Sequence, residues 1–238
     1  MRKRNIIIIV ISLALAAIIA VGCIYFFGYH LPDERKKAER EQQVREYYAT
    51  KLALYEEENE KYDDYEVDVA FLGDSLTDGC NLATYYPQWT TANRGIGGET
   101  THGLENRLQV SAYDLKPKVV VMLIGGNNLD SMFENYEDIL VGLRDNLPQS
   151  KVVLVSLTAM GQSMAKKNQL AAYNNVVIKK LADKYGYAFV DVFTPLFNEA
   201  SGEIYAEYTT DGAHLTPQGY VVLSSAITPA IEAALNNN

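Results

Sequence analysis

Two patterns of apolar residues divide the chain. The first is one unbroken run: after Met1-Arg2-Lys3-Arg4, residues 6–27 carry no charge and read Ile-rich throughout. The second begins near Tyr65 and alternates short β-branched runs with longer stretches at helical spacing. Residues 67–72, 119–124, 152–157 and 188–192 are apolar runs backed by turn residues, which predicts buried parallel strands. A shorter strand is expected just before Gly95. Between these, residues 100–110, 133–146, 166–184 and 217–235 read as helices, the last opened by the Thr216 hydroxyl and by Pro217 at the first helical position. Strand followed by helix, repeated, predicts an α/β domain with a mainly parallel sheet and helices on both faces, because parallel neighbours need crossover connections. In such sheets a ligand sits beyond the carboxyl ends of the strands.

The amino-terminal run is long enough to matter physically. At about 1.5 Å per residue its 22 positions span roughly 33 Å, against a hydrocarbon core of about 30 Å. A cleaved secretory signal is the alternative, but its apolar core is shorter and ends in small residues, whereas Ile24-Tyr25-Phe26-Phe27 follows here. Ala20-Val21-Gly22-Cys23 is a weak match to a lipidation site. The expectation is an uncleaved anchor over residues 1–30, with most of the chain outside the cytoplasm. The charges flanking the run, Arg2, Lys3 and Arg4 before it and Arg35, Lys36, Lys37 and Arg40 after it, nearly balance in the positive-inside count.

Residues 31–64 are rich in Glu, Lys, Arg, Ala and Gln, the composition of a solvated helix. Val44, Tyr48, Leu52 and Tyr55 form one stripe, too short to require a coiled coil. A stalk is the ordinary reading, and a helix laid on the domain or pairing two chains is the other. The globular domain is then expected over residues 65–238.

Charge narrows the partners. The formal net charge is −9, and it is concentrated in residues 62–238, which hold 11 Lys and Arg against 21 Asp and Glu. A surface so acidic repels phosphate backbones, which argues against nucleic acid. Cys23 and Cys80 are too few for a disulfide framework. With only His30, His102 and His214 to join them, a structural zinc site is excluded nearly by counting.

Four short motifs fall at predicted strand ends or before a helix. Gly73-Asp74-Ser75-Leu76 follows the first strand and places a serine hydroxyl at the sheet top, with its own N–H at a helix start. Asp and Ser there are also ordinary helix caps. Asn93-Arg94-Gly95-Ile96-Gly97-Gly98-Glu99-Thr100-Thr101 follows the second strand. It lacks dinucleotide and Walker spacing, so an N–H donor from Gly98 is the better reading. Gly125-Gly126-Asn127-Asn128 ends the third strand, where Gly-Asn is commonly just a turn. The Asn127 amide can also donate to a developing oxyanion. Asp211-Gly212-Ala213-His214 precedes the last helix, and its spacing lets the carboxylate hold Nδ1 while Nε2 faces a hydroxyl. Together these supply nucleophile, base, orienting acid and three oxyanion donors, the groups acyl transfer requires.

Over about residues 65–237 the chain resembles the SGNH or GDSL hydrolase superfamily, through Gly73-Asp74-Ser75-Leu76, Gly98, Asn127 and Asp211-Gly212-Ala213-His214 in order. The Asn-Arg-Gly-Ile-Gly-Gly and Gly-x-Asn-Asn segments look most like the branch of the platelet-activating-factor acetylhydrolase catalytic subunits. Asn128 departs from the commoner form, which has Asp. The resemblance implies a flavodoxin-like three-layer α/β/α fold, no metal or cofactor, and ester hydrolysis through an acyl-serine. Ser75 would attack, His214 would act as base and then acid, and Asp211 would hold the imidazole. The Ser75 and Gly98 amides and the Asn127 side chain would bind the oxyanion.

Location then suggests the substrate: small acyl esters, O-acetyl groups on carbohydrate first, lysophospholipid or other small esters second. An incoming sugar hydroxyl would make the same site a transferase. Tyr85, Tyr86 and Trp89 offer stacking surfaces to a sugar, although clustered aromatics are more often core, and Tyr205 and Tyr208 lie just upstream of Asp211. A membrane-tethered glycan-binding or adhesion module is the non-enzymatic alternative, since fold alone does not decide activity. A stalk-mediated assembly protein of hydrolase ancestry is a third, resting only on residues 33–61. Oligomeric state is not read from the sequence.

Overall fold

The computed structural model describes residues 18–22, 25 and 31–236. The expected membrane span and Cys23 lie largely or wholly outside these residues. Among the described residues no helix is long and apolar enough to cross a membrane. Helix α1 covers Leu31–Asn59. The chain divides into two units, residues 1–50 and residues 51–238. The last nine residues of α1 therefore belong to the larger unit, and with them only residues 51–64 of the segment that the sequence assigns to a stalk.

In that unit the strands are β1 (Val69–Gly73), β2 (Thr91–Gly95), β3 (Val119–Leu123), β4 (Lys151–Val155) and β5 (Ala188–Val190), all parallel in the order β2-β1-β3-β4-β5. This is the flavodoxin-like order, with its switch point between β1 and β3. Each expected strand is present within a residue or two of its predicted bounds. The helices are α2 (Ser75–Asp78), α3 (Leu82–Tyr85), α4 (Thr101–Asn106), α5 (Tyr136–Asn146), α6 (Asn168–Tyr185), α7 (Phe193–Leu196) and α8 (Pro217–Asn236). A two-stranded hairpin, β6 (Phe197–Asn198) with β7 (Glu203–Ile204), follows α7.

Strand parity explains the three layers, because successive side chains point to opposite faces. Val69, Phe71, Val119, Val121, Leu123, Val153 and Val155 face Tyr220, Leu223, Ile227 and Ile231 of α8. Leu72, Val120, Met122, Val152 and Leu154 face Leu104 of α4, Ile139, Leu140 and Leu143 of α5, and Ile178 and Ala182 of α6. Both faces of β1 and β3 are buried, which is why these strands read as continuous apolar runs rather than as an alternation.

The predicted helix over 100–110 is broken. It stops at Asn106, Arg107 leaves helical geometry, and a wider helical turn covers Gln109–Tyr113. The physical cause is the Arg107 side chain, which turns inward to hydrogen-bond backbone carbonyls instead of facing water.

Candidate active site

Parallel register brings three of the four motifs together. Gly73 of β1 is paired with Gly95 of β2 on one side and Leu123 of β3 on the other. The loops that follow therefore leave the sheet side by side at its carboxyl edge. Immediately after β1, Asp74 caps α2 and its Oδ1 accepts from the Leu76 N–H at 3.0 Å. Ser75 is the first residue of that short helix, where N–H groups have no partner within the helix. Asn93 fastens the turn from below: its Nδ2 donates to Thr77 O at 2.7 Å and Cys80 O at 3.2 Å, while its Oδ1 accepts from Gly95 N at 2.9 Å. Tyr220 of α8 holds the other side, its hydroxyl donating to Leu76 O at 2.9 Å.

The fourth motif arrives from the far end of the chain. His214 Nε2 lies 3.0 Å from Ser75 Oγ, and His214 Nδ1 lies 2.7 Å from Asp211 Oδ2. Asp211 Oδ1 also accepts from the backbone of His214 at 2.8 Å and of Ala213 at 3.0 Å. These bonds, the His214 ring first, pull the Asp211 carboxyl down to about 2, so it is ionised throughout the neutral range. The loop is held by Thr209, whose hydroxyl donates to His214 O at 2.9 Å and accepts from Gly212 N at 2.8 Å. Gly212 has φ +88° and packs on Gly161, where a Cβ would meet the carbonyl oxygen at 2.3 Å. Only glycine satisfies both conditions.

Gly98 is exposed, and Asn127 is exposed at the end of β3. Asn127 Nδ2 donates to Glu99 O at 2.8 Å and lies 3.5 Å from Asp74 Oδ2. Asn128 has a different job: it accepts from Thr101 N at 3.3 Å and donates to Thr101 Oγ1 at 2.9 Å, joining this loop to the start of α4. Asp74 is buried, and burial pushes its carboxyl up to about 6, against the lowering effects of the Leu76 hydrogen bond and of His214.

The aromatic residues divide. Tyr205 and Tyr208 form an edge-on pair 5.5 Å apart on the segment leading into the Asp211 loop, with Tyr205 exposed. Tyr85 and Trp89 are half-buried against the α8 face of the core. The Tyr85 ring lies 5.5 Å from that of Tyr220, and Trp89 stacks at 6.3 Å on the buried Tyr86.

Sequence reasoning missed Asn93, Glu99 and Arg107. Arg107 and Glu99 form a buried pair, Nε to Oε2 at 2.8 Å, directly beneath the Gly98 loop. Arg107 lies in a stretch that reads as helix, where a charged residue is taken for the solvated face, and Glu99 lies in the loop read only for its Gly98 amide, so no periodicity signal points to either.

A parallel sheet whose switch point carries a hydrogen-bonded Ser, His and Asp defines a serine hydrolase. The GDSL-like lipase/acylhydrolase family model matches residues 71–222. Platelet-activating factor acetylhydrolase IB subunit alpha2 of Rattus norvegicus and of Homo sapiens is 30% identical over 169 residues, covering 66% of this chain and 72% of the relative. A GDSL-like lipase from Bacteroides thetaiotaomicron superposes with TM-score 0.68 at 25% identity, covering 77% of this chain and 98% of that one. An acetyl xylan esterase from Geobacillus stearothermophilus shares the fold with TM-score 0.58 at 21% identity, covering 71% and 95%. The chain belongs to the GDSL-like lipase/acylhydrolase family of the SGNH superfamily and is an ester-hydrolysing serine hydrolase.

Proposed function

We propose that the protein removes small acyl groups, O-acetyl first, from carbohydrate esters through an acyl-Ser75 intermediate. The observation that carries this reading is the continuous hydrogen-bond line Ser75 Oγ, His214, Asp211, with both distances at 3.0 Å or less. Ser75 Oγ attacks the carbonyl carbon as His214 Nε2 takes its proton. Asp211 orients the ring and stabilises the imidazolium that forms. The Ser75 and Gly98 amides and the second N–H of Asn127 receive the oxyanion. His214 then returns the proton to the leaving alcohol. Water, activated by the same imidazole, releases the acid and frees Ser75.

Shape supports a small acyl group. Asp211 and His214 are exposed and Ser75 half-buried, so the carbonyl of a bulky ester reaches the site from solvent. The apolar cavity behind the Ser75 turn, lined by Leu76, Cys80, Leu82, Tyr86 and Leu123 among others, holds about 20 Å³. That is room for little more than one water-sized group, and neither Ser75 nor His214 lines it, so this cavity does not serve as an acyl tunnel from the nucleophile. The names of the mammalian relatives and of the Geobacillus esterase share the acetyl group and differ in what bears it. The Tyr205 and Tyr208 rings beside the Asp211 loop favour a sugar ring as the bearer. The uncharged run over residues 6–27 would tether the enzyme to a membrane with this domain outside the cytoplasm, where envelope and environmental glycans are met.

Active-site labelling with a fluorophosphonate, followed by locating the tagged peptide, tests the nucleophile. Label on Ser75, lost in Ser75→Ala, is expected; turnover of p-nitrophenyl acetate unchanged in that variant rejects the assignment. Acetate release from O-acetylated xylan set against release from an acetylated lipid decides the bearer, and a preference for the lipid overturns the carbohydrate reading.

A further inference from the structure

We propose that Arg107 is a positioning residue for the reaction, setting the spacing between the nucleophile turn and the oxyanion donors. The Arg107 side chain is fully buried and meets four acceptors. Nε donates to Glu99 Oε2 at 2.8 Å, Nη1 to Arg94 O at 2.9 Å and Ser111 Oγ at 2.8 Å, and Nη2 to Gly73 O at 3.1 Å. Gly73 O lies two residues before Ser75. Arg94 O lies at the end of β2, where the chain departs for Gly98, and Glu99 is the residue that follows Gly98. One planar cation thus grips the backbone on the nucleophile side and both ends of the loop that carries the Gly98 amide. Glu99 passes the constraint on, because its carbonyl oxygen accepts from Asn127 Nδ2. All three proposed oxyanion donors are therefore within two residues of, or directly bonded to, a group that Arg107 or its partner holds.

Two further observations separate this from an ordinary core ion pair. A buried Arg and Glu contribute little net stability compared with apolar residues of similar volume, since both must be desolvated. What guanidinium offers is a rigid fork of five donors that reaches several acceptors at fixed angles, which a Lys ammonium cannot do. The surroundings are shaped to admit it: a Cβ at Gly103 would fall 1.6 Å from Glu99 Oε1, so position 103 leaves the carboxylate its space. In the transition state the oxyanion donors must already be in place, and a misplacement of about 1 Å can cost on the order of 100-fold in rate.

This inference rests on the assignment of Ser75, Gly98 and Asn127 made above, and the experiment keeps the two apart. In the full chain, Arg107→Lys is assayed for kcat and KM with p-nitrophenyl acetate and for the rate at which a fluorophosphonate labels Ser75. Leu143→Ala, in the core on the α5 side, serves as a control of reduced thermal stability, each variant being assayed the same interval below its own Tm. The expected result is a kcat lower by about 10- to 100-fold with KM within about threefold, labelling slowed in parallel, and kcat unchanged in Leu143→Ala. Wild-type kcat in Arg107→Lys, or an equal loss in Leu143→Ala, overturns the proposal. If Arg107→Lys does not fold, Glu99→Gln is measured in its place, with a kcat loss of about tenfold expected and wild-type kcat overturning the proposal. Ser75→Ala runs alongside: turnover surviving in it rejects the nucleophile, whereas its loss together with an active Arg107→Lys rejects only the role of Arg107.

Discussion

The Asn127 side-chain amide donates to the backbone carbonyl of Glu99 across 2.8 Å, so the loop after β3 is tied to the loop after β2. One of the two Nδ2 protons is committed to this tie, and the other, with Asp74 Oδ2 as its acceptor at 3.5 Å, is the one that a developing oxyanion would have to draw away. Asn127→Ala removes both. Turnover of p-nitrophenyl acetate is expected to fall by roughly 10²- to 10³-fold with KM changed far less. A loss below about threefold would move the donor role to another group.

Asp74 gives stability an unusual pH dependence. Burial raises its carboxyl to about 6 in the folded protein, while the unfolded chain keeps the ordinary value near 3.8. Well below pH 3.8 both states hold the proton and the group has no effect. Between 4 and 6 the unfolded state ionises first, so stability falls as pH rises, and the deficit is complete above pH 6. Its size is on the order of 3 kcal/mol. Asp74→Asn keeps an acceptor for the Leu76 N–H and removes the charge. Urea unfolding is expected to show the variant more stable than wild type at pH 8 and nearly equal to it at pH 3.5. A gain of the same size at both pH values would show that ionisation is not the cause.

The fold and the candidate site groups that the structure brings together were legible in the sequence for different reasons. The strands β1 and β3 are buried on both faces and therefore appear as unbroken apolar runs, and Ser75, Asn127 and His214 each sit where such a run or a helix begins or ends. What holds those groups was not legible. Asn93 and Arg107 act on backbone carbonyls, which have no residue type, so no spacing of side chains announces them. The inward turn of Arg107 also broke a helix that periodicity alone would continue. Tyr55, the last residue of a sparse stripe in a charged segment, is buried all the same.

The amide at position 128, where the commoner family form has Asp, has a local cause. Thr101 Oγ1 donates to Asn135 Oδ1 at 2.8 Å, so it must accept a hydrogen from its other neighbour, and Asn128 Nδ2 supplies it. A carboxylate would face that oxygen with no proton to give. Asn128→Asp is expected to destabilise the domain by about 1–3 kcal/mol at pH 8. The loss should shrink in acid, where a protonated carboxyl can donate. Thermal unfolding at the two pH values measures this, and a pH-independent loss would rule out the missing donor as its origin.

The globular unit begins earlier than the first predicted strand, and truncation can show how much that matters. Tyr55 is buried, with its hydroxyl donating to Gly95 O at 2.5 Å, and Arg94 lies 4.7 Å over its ring. Arg94 is itself fully buried and pairs with Glu58, while Asn59 accepts from it at 3.0 Å and donates to Val110 O at 2.8 Å. Starting the chain at residue 62 strips this cover from the end of β2 and leaves the Arg94 guanidinium without its carboxylate. Relative to a chain starting at residue 51, a loss of about 3–5 kcal/mol in urea unfolding is expected, from the removed aromatic surface and the broken pair. Gly95 leads into the Gly98 loop, so turnover should fall as well, even under conditions where the shorter chain is fully folded. Equal stability and equal turnover in the two chains would mean that residues 51–61 are a linker resting on the domain and not a part of it.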